Sequence, residues 1–196
     1  MDMEGQKIKN NILKLSHSVI VSGLSSAYLY ESNLFIKNLI FFISSTYFYY
    51  DTKLILKCDK IDYPMLYHHI LALLLLFGFY IDYYRDVLIY LYCLGELSNI
   101  PMYITYHLKK TSPNMNLILC SNVLQTIIYG YFRVYKMTDF LIKNTYLIYT
   151  PLAPLLGIYL MGLVWFTILF KQVYNERITI RYIIYDNLIR NVKIHH

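Results

Sequence analysis

The chain has 196 residues, 57% of them apolar and only 15% charged, with 18 Lys and Arg against 12 Asp and Glu for a net charge of +6. Soluble domains carry about 25% charged residues, and so few charges cannot clothe a water-exposed surface of this size. A soluble enzyme, a disordered tail and a secreted disulfide scaffold are thereby excluded, and the surplus apolar surface, with a mean hydropathy of +0.40, requires lipid.

Taken in chain order, residues 1–11 read as a cytoplasmic N-terminus, followed by a membrane domain over 12–171. A first helix is expected at about 12–30. Lys7, Lys9 and Lys14 precede it in the manner of a signal peptide, but Ser25-Ser26-Ala27 is a loose cleavage match and Tyr28-Leu29-Tyr30 continue the helix, so it reads as a membrane span. A second is expected at about 34–56, with Lys37, Asp51 and Lys53 near its ends. The third, 63–81, is a run of 19 residues without Asp, Glu, Lys or Arg that contains His68 and His69. The fourth, 87–107, is interrupted only by Glu96. The fifth, 113–132, falls in an uncharged run of 22 residues, and the sixth, 145–170, in one of 27. A bilayer core of ~30 Å needs about 20 helical residues. Pro151 and Pro154 should kink the sixth helix at its start. The tail, 172–196, is basic and rich in Ile and Tyr; an amphipathic surface segment and solvated disorder are both open readings for it.

The fold class is therefore all-α: a polytopic membrane protein with about six transmembrane helices. Six spans put both termini on the side that holds 13 of the 18 Lys and Arg, leaving five, Lys37, Arg85, Arg133, Lys136 and Lys143, on the other. The positive-inside rule makes the first side cytoplasmic. The net charge is thus topological, and without a basic face no nucleic-acid partner is expected. Cys58, Cys93 and Cys120 are too scattered for a disulfide framework or a zinc site, the adjacent histidines do not suit one ion, and His195 and His196 read as free. No metal and no bound cofactor is expected.

Ionisable groups inside spans are costly and mark function or a structural network. His17, Asp51, His68, His69 and Glu96 stand out. Glu96 and His69 lie at similar depth, within ~5 Å along the membrane normal, and Asp51 and His69 each lie ~9 Å from their shared loop. One polar layer is expected to collect all of them, with one histidine of the pair facing it fully. A carboxylate beside an imidazole fixes its tautomer and raises its basicity, as a general base or transient acyl acceptor requires; a register-holding network is the alternative. Tyr47, Tyr49, Tyr50, Tyr67, Tyr80, Tyr83 and Tyr84 read as interfacial anchors. Asn122, Gln125 and Trp165 line a cavity or bond between helices.

The segment from Asp51 to Lys110 resembles the TLC domain, shared by ceramide synthases and the translocating-chain-associated membrane protein. The marks are Tyr47-Phe48-Tyr49-Tyr50-Asp51, the histidine pair in Tyr67-His68-His69-Ile70, and Gly95-Glu96-Leu97-Ser98-Asn99-Ile100-Pro101. Ser16-His17-Ser18, Tyr131-Phe132-Arg133 and Trp165 look similar to TLC positions too, extending the likeness over residues 10–175. The resemblance implies a six-helix TLC-type barrel, usually in the endoplasmic reticulum, concerned with lipid synthesis, sensing or transport; a viral origin would place it in a host membrane. In ceramide synthases the histidine pair belongs to an acyl-CoA-dependent N-acylation site, which maps onto His68 and His69. The His-Asp and further Asp of those synthases are replaced here by Glu96-Leu97-Ser98-Asn99, which resembles the non-synthase TLC proteins.

Three functions follow as expectations. The leading one is a protein that binds or senses lipid in lipid homeostasis, with His17, Ser98, Asn99, Asn122 and Trp165 as candidate lipid contacts. The second is a ceramide-synthase-like acyltransferase, with acyl-CoA as substrate and His68, His69, Asp51 and Glu96 as candidate catalytic groups. The third is a cargo or chaperone-like adaptor acting through the tail, which lacks a dilysine signal. Membrane lipids are the expected partners; protein partners and an oligomer stay open.

Overall fold

Within lipid a backbone N–H or C=O has no water to bond, so apolar runs must satisfy themselves as helices. The computed structural model describes the backbone of residues 3–57, 61–146 and 155–194, and the side chains of 8–57, 61–146 and 155–176. Its helices are α1 (Met3–Glu31), α2 (Leu34–Leu56), α3 (Tyr63–Tyr80), α4 (Arg85–Thr111), α5 (Met115–Tyr129), a π-helical segment (Gly130–Lys136), α6 (Met137–Lys143) and α7 (Leu155–Ile194). Polar residues start them. Asn33 caps α2 by accepting from the Phe35 and Ile36 N–H groups, Asp62 caps α3 by accepting from Met65, and Asn114 caps α5 by accepting from Asn116 and Leu117.

Among the described residues, five stretches are long and apolar enough to cross a membrane: Ile8–Glu31, Tyr63–Tyr80, Arg85–Thr111, Met115–Lys143 and Leu155–Glu176. The protein is thus an all-α, multi-pass membrane protein. α2, expected as a sixth span, is not among the five, because Lys37, Asn38, Asp51 and a run of hydroxyl side chains dilute its apolar content. It nonetheless packs against both α1 and α3. Its buried face, Lys37, Ile40, Ser44, Phe48 and Asp51, repeats at helical spacing and ends in a charge at each extremity.

Both end charges are paired. Lys37 reaches Asp82 in the α3–α4 turn at 2.7 Å, and Asp51 meets Lys14 of α1 at 2.9 Å. The Lys37 hydrogen bond, followed by the Lys37 and Arg85 charges, holds the exposed Asp82 carboxyl below the usual aspartate range. The same turn places Asp82 and Tyr84 in the left-handed region, with φ of 62° and 46°.

α4 packs against α1, α3 and α5. The α1–α4 seam is built from small residues, as lipid-embedded helix contacts usually are. Ser18 and Ser25 are buried on α1, and Cys93 of α4 comes within 3.6 Å of Ser26. Farther along, Thr105 of α4 bonds Ser121 of α5 at 2.6 Å, and Glu176 of α7 gathers Asn122 of α5 and Lys109 of α4. α7 leans on α5 and the π segment and touches α3 least.

Three features differ from the sequence reading. The fifth helix does not stop at residue 132 but runs through the π segment to Lys143, because Arg133 turns inward instead of ending the span. The tail, expected as a separate segment from 172, continues α7 as backbone through Ile194 in a helix of 40 residues. Tyr47 is no interfacial anchor: it stacks on His17 inside the bundle, whereas Tyr49, Tyr50, Tyr67, Tyr80 and Tyr83 are exposed. Pro151, Pro154, Cys58, His195 and His196 lie outside the described residues.

Candidate functional site

The polar layer assembles from four helices, and it resolves into two carboxylate–imidazole pairs. In the first, Asp51 Oδ2 accepts from Lys14 Nζ at 2.9 Å and faces His69 Nε2 at 3.4 Å. His69 Nδ1 lies 3.3 Å from the Thr52 hydroxyl, so both ring nitrogens are held by α2. In the second, Glu96 Oε2 accepts from Ser18 Oγ at 2.6 Å and faces His17 Nδ1 at 3.7 Å. Phe48 stands between the pairs, its ring 5.8 Å from that of His17 and 5.2 Å from that of His69. Glu96 bonds to α1 and not to His69, because α4 packs closely on the serine face of α1 and that face carries its donor.

The two histidines have separate surroundings, as two residues about 100° apart on a helix must. His69 is buried against α2. His68 points the other way, edge-on to Trp165 of α7 with ring centroids 6.0 Å apart, and its buried Nδ1 has no hydrogen-bond partner among the described residues.

These groups surround a cavity of about 400 Å³, lined among others by Lys14, Asp51, His68, His69, Glu96 and Trp165. Ligand-sized sites begin near ~300 Å³. A second space of about 410 Å³ shares Lys14, Asp51, Met102 and Tyr103 with it and opens toward Asn10 and Tyr106. On the far side a narrow apolar pocket of about 60 Å³ shares His68 and Glu96, then continues between Leu75, Leu88, Leu141 and Ile158. The chamber is the most polar of the three, and it adjoins the other two through these shared lining residues.

Of the expected lipid contacts, Asn99 and Trp165 line the chamber. His17 and Ser98 stand behind its wall, His17 stacked on Tyr47 at 3.8 Å and Ser98 accepting from Arg133 Nε at 2.9 Å. Asn122 lies elsewhere, donating to Glu176. Sequence reasoning missed Lys14 and Arg133, both counted as topological charges; Arg133 is 3% exposed. A helix register drawn through Asp51 and Lys14 would have found the first, since only its depth was needed. Among the described residues no group of three His, Cys, Asp or Glu is placed to hold a metal ion.

The family model described as the TLC domain matches residues 7–175. The chain belongs to the TLC-domain family. Comparison with curated proteins and with solved structures gives no match. The TLC-domain match takes in both carboxylate–imidazole pairs, His68, Arg133 and Trp165, and ends one residue before Glu176. A TLC domain ties this membrane protein broadly to lipid metabolism.

Proposed function

We propose that the protein binds or senses a membrane amphiphile in the chamber, within a six-helix TLC-type barrel of the endoplasmic reticulum, as part of lipid homeostasis. The observation that carries this reading is the meeting of a chamber bordered by Lys14, Asp51, His69 and Glu96 with a narrow pocket walled mostly by aliphatic side chains, Leu75, Leu88, Leu141 and Ile158 among them. An amphiphile has the same order of surfaces: a head that needs hydrogen bonds and a chain that needs none. The Glu-Leu-Ser-Asn stretch, Glu96 to Asn99, supports a place beside the non-synthase TLC proteins. The excess of Lys and Arg on the side that holds both termini supports a cytoplasmic placement of them.

The test is mass spectrometry of lipids that co-purify with the full chain. An amphiphile class enriched above a detergent-matched control membrane protein is expected, and its absence would overturn the reading.

A second reading, acyl transfer from acyl-CoA, is favoured by one feature: His68 Nδ1 is buried without a partner where the chamber meets the apolar pocket. An imidazole there suits attack on a thioester whose chain fills the apolar pocket. Labelled acyl-CoA supplied with sphingoid or lysophospholipid acceptors should give product that His68→Ala abolishes. Equal turnover by that variant would dismiss the enzyme.

A further inference from the structure

Arg133 is the least expected charge in the bundle. It sits in the π-helical segment Gly130–Lys136, 3% exposed, about two-thirds of the way along a span of 29 residues. π-Helical turns inside α-helices recur at functional sites, because the added residue per turn redirects a side chain. Here Arg133 Nε donates to Ser98 Oγ at 2.9 Å, and Nη2 donates to the Gly95 carbonyl at 3.4 Å. Gly95 is required for this approach, since a Cβ there would stand 3.3 Å from Nη2.

Those two bonds use two of the five guanidinium donors. No carboxylate lies within ion-pair distance of Arg133 among the described residues. Glu96 turns its Oε2 to Ser18 and His17 instead. The Arg133 guanidinium lines the apolar pocket beside His68 and Glu96, at its junction with the chamber. Two further polar atoms at the junction lack partners: His68 Nδ1, and the hydroxyl of Tyr129, which is 1% exposed, lines the chamber and lies with its ring 5.9 Å from the Arg133 guanidinium carbon. The Arg133 charge acts on Glu96 across the pocket, but among the described residues no carboxylate accepts its hydrogen bonds, so an anion that enters the chamber gains by supplying that contact.

We infer that Arg133, with Tyr129 and His68, forms a carboxylate subsite that takes a free fatty acid, its chain lying in the apolar pocket between Leu75, Leu88, Leu141 and Ile158. A carboxylate matches the free edge of a guanidinium with two parallel hydrogen bonds. From Glu96 to Leu88 along α4 is ~12 Å of apolar wall. The pocket is narrow enough for one chain, not two. This inference rests on the lipid-binding reading and names its ligand.

The full chain, purified in detergent, is titrated with labelled decanoate, decanol and decyl phosphate, whose chains match that wall. Decanoate is expected to bind about tenfold or more tighter than decanol, the difference a charge-assisted bidentate contact supplies. Arg133→Gln should remove that preference while leaving decanol binding in place, which a merely structural arginine would not do. Gly95→Ala keeps the charge but crowds the fork, and should reduce the preference several-fold even where Arg133→Gln fails to fold. Equal binding of acid and alcohol by the natural protein overturns the subsite and leaves the lipid reading standing. Tighter binding of the phosphate overturns the carboxylate assignment. Binding of none of the three overturns both.

Discussion

Asp51 holds two partners from two helices, whereas His68 Nδ1 holds none among the described residues, although both side chains border the same chamber. Removing one member of a buried charged pair strands the other, so Asp51→Asn should cost about 2–4 kcal/mol. His68→Ala gives up ring packing on Trp165 and His69 and should cost about 1 kcal/mol. Reversible unfolding in mixed micelles measures both. Losses of equal size would show that His68 is structural too. That these residues would gather was readable from the sequence, and Asp51, His68, His69 and Glu96 do border one chamber. Their pairing was not. Whether Glu96 meets His69 or His17 depends on how α4 is rotated and on which face of α1 carries small residues, and neither is a property of one segment. Lys14 and Arg133 escaped notice for a different reason: each stands where an apolar run meets a charge, and counting charges assigns such residues to loops.

At the scale of elements the long apolar runs were legible and their ends were not. An apolar run stops at the first basic residue, so the fifth helix was expected to close at 132, whereas a π-helical turn folds Arg133 inward and the helix reaches Lys143. That turn needs close backbone packing. A Cβ on Gly130 would stand 2.7 Å from Phe166 Cε2 of α7, and one on Gly157 would stand 2.9 Å from the Tyr67 hydroxyl. Phe166 presents a rigid ring seated between helices, while the Tyr67 side chain is 46% exposed and free to swing. Gly130→Ala should therefore cost about 1–3 kcal/mol through overpacking, and Gly157→Ala much less. Thermal unfolding of the two variants side by side checks the ordering.

For the whole molecule, the number of crossings decides on which side each terminus lies. α2 is too polar to be recognised by hydropathy, yet Lys37 pairs at the level of the α3–α4 turn and Asp51 pairs beside the start of α3. Those contacts lie 14 residues apart in sequence, ~21 Å along a helix. In a cysteine-free background on sealed microsomes, an impermeant maleimide should reach Ile61→Cys and Ser112→Cys from one face and Ser32→Cys and Tyr83→Cys from the other. Labelling of Ser32→Cys and Ile61→Cys from the same face would mean that α2 does not cross.

The unbroken length of α7 has a mechanical corollary. Forty residues make a rod of ~60 Å, twice the ~30 Å of hydrocarbon it traverses. Trp165, Ile168 and Leu169 form part of the chamber wall on this rod, and its weakest lateral support is the seam with α3. A tilt of about 10° that widened the chamber would carry the far end of the rod through roughly 10 Å over that length. By lever geometry alone, a given tilt displaces the far end of this helix several times more than the stretch beside the chamber.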